Sequence, residues 1–271
     1  MEIKARGLTF DVTVSGPQDG PPVLLLHGFP QDHREFDLIL PRLHGAGLRT
    51  YALDQRGYSP GARPGAVAEY RLREPEADAV AVLDALGLDQ VHVIGHDWGA
   101  QVAWVLGARH PGRVRTLTAV SVPHPRGIAV ALRNQPSQRL RFAYMKVFQS
   151  RIAERLLLAR DGAVLKGMMR DIGPRAAMYA GAMAEPGRLT GALNWYRALS
   201  RGELADVGKV TVPTTYVWGD GDPAVGRAAA LATRTWVEAD YRLVVLRGIG
   251  HWVPEEAPQA LAEVALARIG V

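Results

Sequence analysis

The amino-acid sequence predicts an α/β fold in which helices cover both faces of a mostly parallel β-sheet. Short aliphatic and β-branched runs alternate with helical stretches along most of the chain, and one long strand-poor segment interrupts this alternation. A chain of 271 residues with 48% hydrophobic residues can bury a large core. We therefore expect one core with a sheet of about eight strands and one helical insertion.

Seven of these strands can be placed on the sequence, in chain order. They are predicted at residues 8–15, 23–26, 50–53, 91–94, 117–120, 214–218 and 241–246. A helix is predicted at residues 76–86, because apolar side chains recur there at helical spacing and Gly87 follows as a stop signal.

A stretch of about ninety residues without a strand signal follows the fifth of these strands, and it is too long for a loop in a compact domain. It opens with Pro123-His124-Pro125 and is rich in Arg and Met. We predict a helical cap at residues 124–208, inserted between strands 6 and 7 of the complete sheet. Residues 1–123 and 209–271 then form the core.

The basic excess of the chain lies in this predicted cap. Residues 124–208 contain 14 Lys/Arg and 6 Asp/Glu, a net +8, and the remainder, with 18 and 21, carries −3, which together give the formal charge of +5. The Arg residues are spaced along helical stretches and are not interleaved with aromatic residues that could stack on bases. We therefore expect these Arg side chains to form a solvated helix face, and we expect no nucleic-acid partner. The alternative is that they favour substrates with negative charge.

Composition also excludes several chemistries. The chain has no cysteine, so disulfides, a thiol nucleophile and thiolate metal sites are excluded. No apolar run is long enough to span a bilayer, and the first residues lack the apolar core of a signal peptide. We expect a cytoplasmic protein, a monomer or homodimer, with a small-molecule substrate, no membrane association, no metal and no organic cofactor.

The strongest chemical signal is the turn Gly95-His96-Asp97-Trp98-Gly99, which follows a buried strand and precedes a helix of small residues. It matches the G-x-S-x-G nucleophile elbow with aspartate in place of serine, and glycines flank Asp97 where larger side chains would clash. Asp97 is the predicted nucleophile. The alternative is that it only caps the following helix.

Two further segments complete the predicted site. The turn His27-Gly28-Phe29-Pro30 follows an earlier strand. A turn in this place supplies one backbone N–H group to the oxyanion hole, and the residue after the nucleophile supplies the other. The N–H groups of Phe29 and Trp98 are therefore the predicted donors, and His27 is expected to brace its loop. Downstream, His251 is the predicted base. Asp222 is preferred over Asp220 as its acidic partner, because Pro223 fixes the turn behind it and Asp220 suits the turn itself.

These motifs, in this order, resemble the α/β-hydrolase superfamily, in the branch shared by epoxide hydrolases and haloalkane dehalogenases. The resemblance extends over nearly the whole chain and includes Asp54-Gln55-Arg56-Gly57-Tyr58 and the run from His251 through Glu256. It implies an aspartate that attacks saturated carbon and a histidine that activates water to hydrolyse the resulting ester.

Epoxide hydrolases of this branch resemble one another in two cap tyrosines that donate to the opening ring. Leu193-Asn194-Trp195-Tyr196-Arg197 resembles the second tyrosine motif, and Phe142-Ala143-Tyr144-Met145 resembles the first less tightly. The resemblance therefore implies an epoxide hydrolase that forms vicinal diols, with Tyr144 and Tyr196 as donors. Helix packing is the alternative for both tyrosines, and Tyr179 is expected to line the cavity.

A haloalkane dehalogenase with the same Asp and His is the main alternative. Such enzymes resemble one another in holding the halide with the Trp after the nucleophile, here Trp98, and a second donor, for which Trp195 is the candidate. Fluoroacetate dehalogenases carry Arg where Trp98 stands, which argues against them. Hydrolysis of other small organic substrates and a ligand-binding protein without turnover also stay open.

Overall fold

The structure is a computed structural model that describes the backbone of residues 1–271 and every side chain except that of Arg201. Eight strands form one sheet. They are β1 (Glu2–Ala5), β2 (Leu8–Ser15), β3 (Pro22–Leu26), β4 (Arg49–Leu53), β5 (Val91–His96), β6 (Val114–Val120), β7 (Thr214–Gly219) and β8 (Tyr241–Leu246).

The sheet is mostly parallel, in the order β1-β2-β4-β3-β5-β6-β7-β8. The six strands from β4 to β8 in this order pair in parallel, whereas β2 is antiparallel to β4 and to β1. Strands buried on both faces are expected in such a sheet. Accordingly, β5 and β7 have no exposed residue along their length.

The described chain forms thirteen α-helices. They are α1 (Leu40–Gly45), α2 (Arg73–Ala85), α3 (Trp98–Arg109), α4 (Pro125–Asn134), α5 (Pro136–Arg141), α6 (Tyr144–Gln149), α7 (Ala153–Met168), α8 (Arg175–Ala182), α9 (Arg188–Ala198), α10 (Arg201–Asp206), α11 (Arg227–Ala232), α12 (Val253–Glu256) and α13 (Pro258–Ile269). Among the described residues, none of these helices combines the length and apolar character needed to cross a bilayer.

Successive side chains of a strand point to opposite faces of the sheet, so the core is divided between the two faces. In β3, Leu24 and Leu26 belong to the cluster that includes α2 and α3, whereas Val23 and Leu25 belong to the cluster that includes α1 and α13. Because the six strands from β4 to β8 in the sheet order run in parallel, their carboxyl ends lie at one edge of the sheet, where ligand sites of open α/β sheets lie.

Helices α4 to α10 all lie between β6 and β7, and α9 approaches the core at a glycine pair. A methyl group at Gly191 of α9 would lie 2.7 Å from the Cα atom of Gly57, and one at Gly57 would lie 2.8 Å from the carbonyl carbon of Gly191. Only glycine allows this approach on both sides, which fixes how closely α9 packs on the loop after β4.

We expect Gly191→Ala to lower the free energy of unfolding by about 1–3 kcal/mol, because the added methyl group overpacks this contact. Gly181→Ala in α8 is the matched control, since nothing lies within 4 Å of a methyl group there. Urea unfolding of both variants measures the difference. Equal stabilities would show that α9 can shift at no cost.

The predicted fold class agrees with this architecture. Each of the seven predicted strands corresponds to an observed strand, and the predicted helix at residues 76–86 is α2, which begins three residues earlier. The strand without a specific prediction is β1, a four-residue edge strand with two exposed positions.

Candidate active site

Asp97 occupies the sharp turn between β5 and α3. Its backbone has φ 50° and ψ −114°, a left-handed conformation that is strained for a residue with a side chain. Gly99 makes the turn possible, because a methyl group there would lie 1.9 Å from the carbonyl oxygen of Leu26, and one at Gly95 would lie 2.4 Å from the carbonyl oxygen of Gly99. The strain holds the Asp97 carboxylate at the edge of the sheet.

Asp97, His251 and Asp222 form a hydrogen-bonded row at the carboxyl ends of β5, β8 and β7. His251 Nε2 lies 3.3 Å from Asp97 Oδ2, and His251 Nδ1 lies 2.8 Å from Asp222 Oδ2. The other oxygen of Asp222 accepts the N–H groups of Ala224 and Val225 at 2.7 and 3.0 Å. Asp222 is thereby fixed in place and orients the imidazole.

The structure also separates the two aspartates that follow β7. Asp220 Oδ1 accepts the N–H of Gly248 at 2.6 Å in an exposed turn. Asp222 is buried and contacts His251. The preference for Asp222 over Asp220 as the partner of His251 therefore agrees with the geometry.

The three groups shift one another's protonation. Burial alone would raise the pKa of Asp97, but the hydrogen bond and positive charge of His251 outweigh burial and lower it. Burial alone would lower the pKa of His251, but Asp222 and Asp97 raise it well above its usual value. In the resting protein Asp97 is thus an anion beside a positively charged imidazole.

One backbone N–H contacts the same carboxylate, and the N-terminus of α3 lies beside it. The N–H of Phe29 donates to Asp97 Oδ1 at 2.9 Å. Trp98 begins α3, where the first N–H groups have no acceptor within the helix. His27 braces this loop as predicted, because its Nε2 accepts the N–H of Gln55 at 3.1 Å and its Nδ1 lies 3.0 Å from the carbonyl oxygen of Gly28.

Two cavities meet at Asp97 and His251, and both are lined by Tyr144 and Tyr196. The smaller, called the short lobe, has a volume of about 60 Å³. Its apolar walls include Val122, Ile128, Phe142, Leu199, Leu204 and Val225. The larger, called the long lobe, has a volume of about 410 Å³. Its apolar walls include Val147, Phe148, Leu156, Leu157, Val164 and Met168.

Tyr144 and Tyr196 come from α6 and α9, and their rings lie 6.5 Å apart. The Gln149 side chain ties the two helices together by donating to the carbonyl oxygen of Tyr196 at 2.9 Å. Burial and the negative charge of Asp97 raise the pKa of both phenols. Both therefore keep their O–H protons at neutral pH and can donate hydrogen bonds.

Trp195 and Tyr179 do not line the cavity as the sequence predicted. The Trp195 indole N–H donates to the carbonyl oxygen of Arg56 at 2.9 Å, and Trp195 is not among the described residues that line either lobe. Tyr179, expected to line the cavity, instead donates its O–H to Glu255 Oε1 at 2.7 Å. Both predictions are corrected: helix packing turns each polar group toward the core.

Sequence reasoning missed a second layer behind the histidine. His96 Nε2 and Ser121 Oγ lie 2.9 and 2.7 Å from the carbonyl oxygen of His251. His96 Nδ1 lies 3.1 Å from Glu35 Oε2, and neither Glu35 nor His96 is exposed. His96 could have been suspected from its place beside Asp97, whereas nothing in the sequence around Glu35 indicates this role.

The hydrogen bonds of His96 indicate that Glu35 carries a proton. His96 Nε2 faces a carbonyl oxygen and must carry hydrogen, so Nδ1 of the neutral ring is an acceptor. Burial lowers the pKa of His96 to about 4, so the ring is neutral. Burial, followed by the charge of Glu255, raises the pKa of Glu35 well above its usual value. Glu35 is therefore a neutral acid that donates to His96.

Glu35→Gln tests this assignment through the pH dependence of stability. Above the ordinary carboxyl pKa of 4.5, unfolding the wild-type protein releases the Glu35 proton, so rising pH destabilises the folded state. Glutamine does not ionise, so the variant is not destabilised in this way. Its melting temperature should therefore rise relative to that of the wild type as the pH is raised from 5 to 8. A variant that is less stable than the wild type by about 3–5 kcal/mol at every pH would instead indicate that Glu35 and His96 form a buried ion pair.

One carboxylate and histidine group could in principle hold a metal. Asp32, His33 and Asp54 bring their ligand atoms close together. However, Asp32 already pairs with Arg34 and Arg188, both at 2.6 Å, and Asp54 pairs with His33 at 2.9 Å. These cations neutralise the carboxylates and leave little attraction for a metal ion.

Most of the chain matches a known protein family. The family model described as alpha/beta hydrolase fold matches residues 21–258. The chain belongs to this α/β-hydrolase family. The predicted family, fold class and enzyme class, a hydrolase, are therefore confirmed.

Several relatives align over most of the chain. The AB hydrolase superfamily protein YfhM of Bacillus subtilis is 32% identical over 274 residues, covering 97% of this chain and 95% of that protein. Epoxide hydrolase A of Mycobacterium tuberculosis is 30% identical over 302 residues, covering 94% and 92%. The crystal structure of epoxide hydrolase A from Mycobacterium thermoresistibile superposes with a TM-score of 0.84 at 27% identity, covering 100% and 97%.

Proposed function

We propose that this α/β-hydrolase converts epoxides to vicinal diols. One observation carries the proposal: two phenols, the partly buried Tyr144 and the buried Tyr196, line both lobes at the point where Asp97 and His251 meet them. An epoxide needs a nucleophile on one side of the ring and O–H donors for the oxygen that leaves carbon. The relatives named epoxide hydrolases support this proposal.

In the first step, Asp97 Oδ2 attacks a ring carbon, and the bond from that carbon to the ring oxygen breaks. The ring oxygen takes a proton from Tyr196 or Tyr144, and the substrate becomes an ester of Asp97. Asp97 is already an anion, so this step needs no base. Oδ1 stays with the Phe29 N–H, which lies 2.9 Å away.

In the second step, His251 takes a proton from water, and the hydroxide adds to the ester carbon. Negative charge then develops on Oδ1, where the N–H groups of Phe29 and Trp98 stabilise it. Collapse breaks the bond between the ester carbon and Oδ2. The proton of the added hydroxyl passes to Oδ2, which leaves as the second hydroxyl of the diol, and Asp97 is again a carboxylate. The proton taken from water restores the charged imidazole of His251, so the net reaction adds one water to the epoxide.

The first step prepares His251 for the second. In the resting protein, hydrogen bonding to Asp97 and its negative charge help to raise the pKa of His251. Esterification removes both effects and leaves only Asp222, so the pKa of His251 falls. Its proton passes to the tyrosinate formed by ring opening, and the neutral base remains. Alkylation of Asp97 thus converts His251 from an acid into a base.

Release of halide from alkyl halides is the alternative for the same nucleophile. It requires two donors for the departing halide, and the candidate pair was Trp98 with Trp195. The Trp195 N–H is held by the carbonyl oxygen of Arg56. This arrangement favours ring opening over halide release.

We also propose that residues 124–208 act as a cap that carries the two phenols, since α4 to α10 lie within this range. A small-molecule substrate and a cytoplasmic location stay predictions from the sequence.

The deciding experiment measures diol formation from aryl and alkyl epoxides beside halide release from alkyl halides. Asp97→Ala serves as the blank in both assays. Diol that disappears in the blank supports the proposal. Halide release without diol would assign the site to dehalogenation, and no turnover of either class would exclude both.

A further inference from the structure

Among the described residues that line the short lobe, Gln101 is the one with a polar side chain that the proposed mechanism does not use. Its backbone N–H donates to the carbonyl oxygen of Asp97 at 3.2 Å, so it lies one helical turn after the nucleophile. Residues four positions apart share a helix face, which places Gln101 beside Asp97 at the lobe. The side chain is only 4% exposed.

The amide of Gln101 is half satisfied. Its Nε2 donates to the carbonyl oxygen of Pro123 at 3.3 Å, and because that oxygen can only accept, the amide orientation is determined. Its Oε1 is buried and has no hydrogen-bond partner among the described residues. A buried acceptor without a donor is unfavourable and calls for an explanation.

We propose that Gln101 Oε1 accepts a hydrogen bond from a hydroxyl group of the substrate, which makes the short lobe a subsite for a small hydroxyl-bearing substituent. This inference rests on the proposed function and names its substrate class. A short lobe of about 60 Å³ suits a hydroxymethyl group, and a long lobe of about 410 Å³ suits a larger apolar group. The preferred substrates are epoxy alcohols with an apolar group on the second ring carbon.

A matched pair of substrates tests the subsite. They are 3-phenylglycidol and 2-ethyl-3-phenyloxirane, in which a methyl group replaces the hydroxyl at nearly constant shape. A site that hydrogen-bonds a hydroxyl discriminates against the analogue that lacks it. We expect kcat/KM of the wild-type protein to favour the alcohol at least about tenfold, which corresponds to about 1.4 kcal/mol.

Gln101→Met keeps the length of the side chain and removes the acceptor. The preference for the alcohol should fall to about one or reverse, whereas Gln259→Met, the same change at an exposed position of α13, should keep the wild-type ratio. A circular dichroism spectrum checks that each variant is folded. No preference in the wild-type protein, or an unchanged preference in Gln101→Met, would overturn the inference and leave a bound water as the partner of Oε1.

Binding separates this inference from the proposed function. Calorimetry on Asp97→Ala, which cannot form the ester, compares the affinities for the two unreacted epoxides. A preference of at least about tenfold for the alcohol, lost in Asp97→Ala/Gln101→Met, supports the subsite even if the wild-type protein turns over neither epoxide. Turnover of both epoxides without any preference would retain the proposed function and reject the subsite.

Discussion

Replacing His251 by glutamine is expected to trap the protein as an ester of Asp97. Attack by Asp97 needs no base, whereas hydrolysis of the ester needs a group that removes a proton from water. Diol formation should therefore fall by about 10²–10⁴-fold, the usual contribution of a general base. Mass spectrometry of the intact variant after exposure to an epoxide should show the added mass of one substrate molecule.

The position of the adduct decides the mechanism. Digestion should locate it on the peptide that contains Asp97, and Asp97→Ala/His251→Gln should show none. His110→Gln is the matched control, because His110 pairs with Glu76 at 2.9 Å and lies outside both lobes. An unmodified Asp97 peptide in the single His251 variant would mean that water attacks the substrate directly.

Removing the Tyr196 hydroxyl with Tyr196→Phe is expected to slow ring opening by about 10²-fold or more, because the departing oxygen loses an acidic donor. Tyr144→Phe should act on the same step, and the double variant should lose more than either single variant. The measurement is the rate of Asp97 alkylation in single-turnover experiments. Hydrolysis of an ester already formed should change little.

Tyr179→Phe supplies the control for this prediction. Tyr179 is also a buried tyrosine between β6 and β7, but its hydroxyl donates to Glu255. The variant should therefore keep the alkylation rate of the wild-type protein. If Tyr179→Phe slows alkylation as much as Tyr196→Phe does, the effect comes from packing, and the assignment of Tyr196 as donor is wrong.

The sequence predicted those parts of the molecule that local pattern determines. The strand β3 is a continuous apolar run, and β5 and β7, which are buried on both faces, are rich in β-branched or aromatic residues. The turn at Asp97 is equally local, because its strain requires glycines at fixed spacing. The strand that was not predicted, β1, has only four residues and lies at the edge of the sheet.

Contacts between distant segments could not be predicted in this way. Trp195 and Arg56 are 139 residues apart, and their hydrogen bond depends on how α9 packs after the chain has folded. Glu35 follows β3 in a segment without a motif, and only its burial beneath His96 shows its role. The free oxygen of Gln101 is also visible only once Pro123 is placed beside it.

The topology places the Asp97, Asp222 and His251 triad and the two tyrosines on separate stretches of the gene. The codons for Asp97, Asp222 and His251 lie outside the interval between β6 and β7, whereas those for Tyr144 and Tyr196 lie within it. Recombination that exchanges this interval would replace both tyrosines together with most of the apolar walls and leave Asp97 untouched. Gln101, by contrast, is encoded beside Asp97 and would be inherited with it.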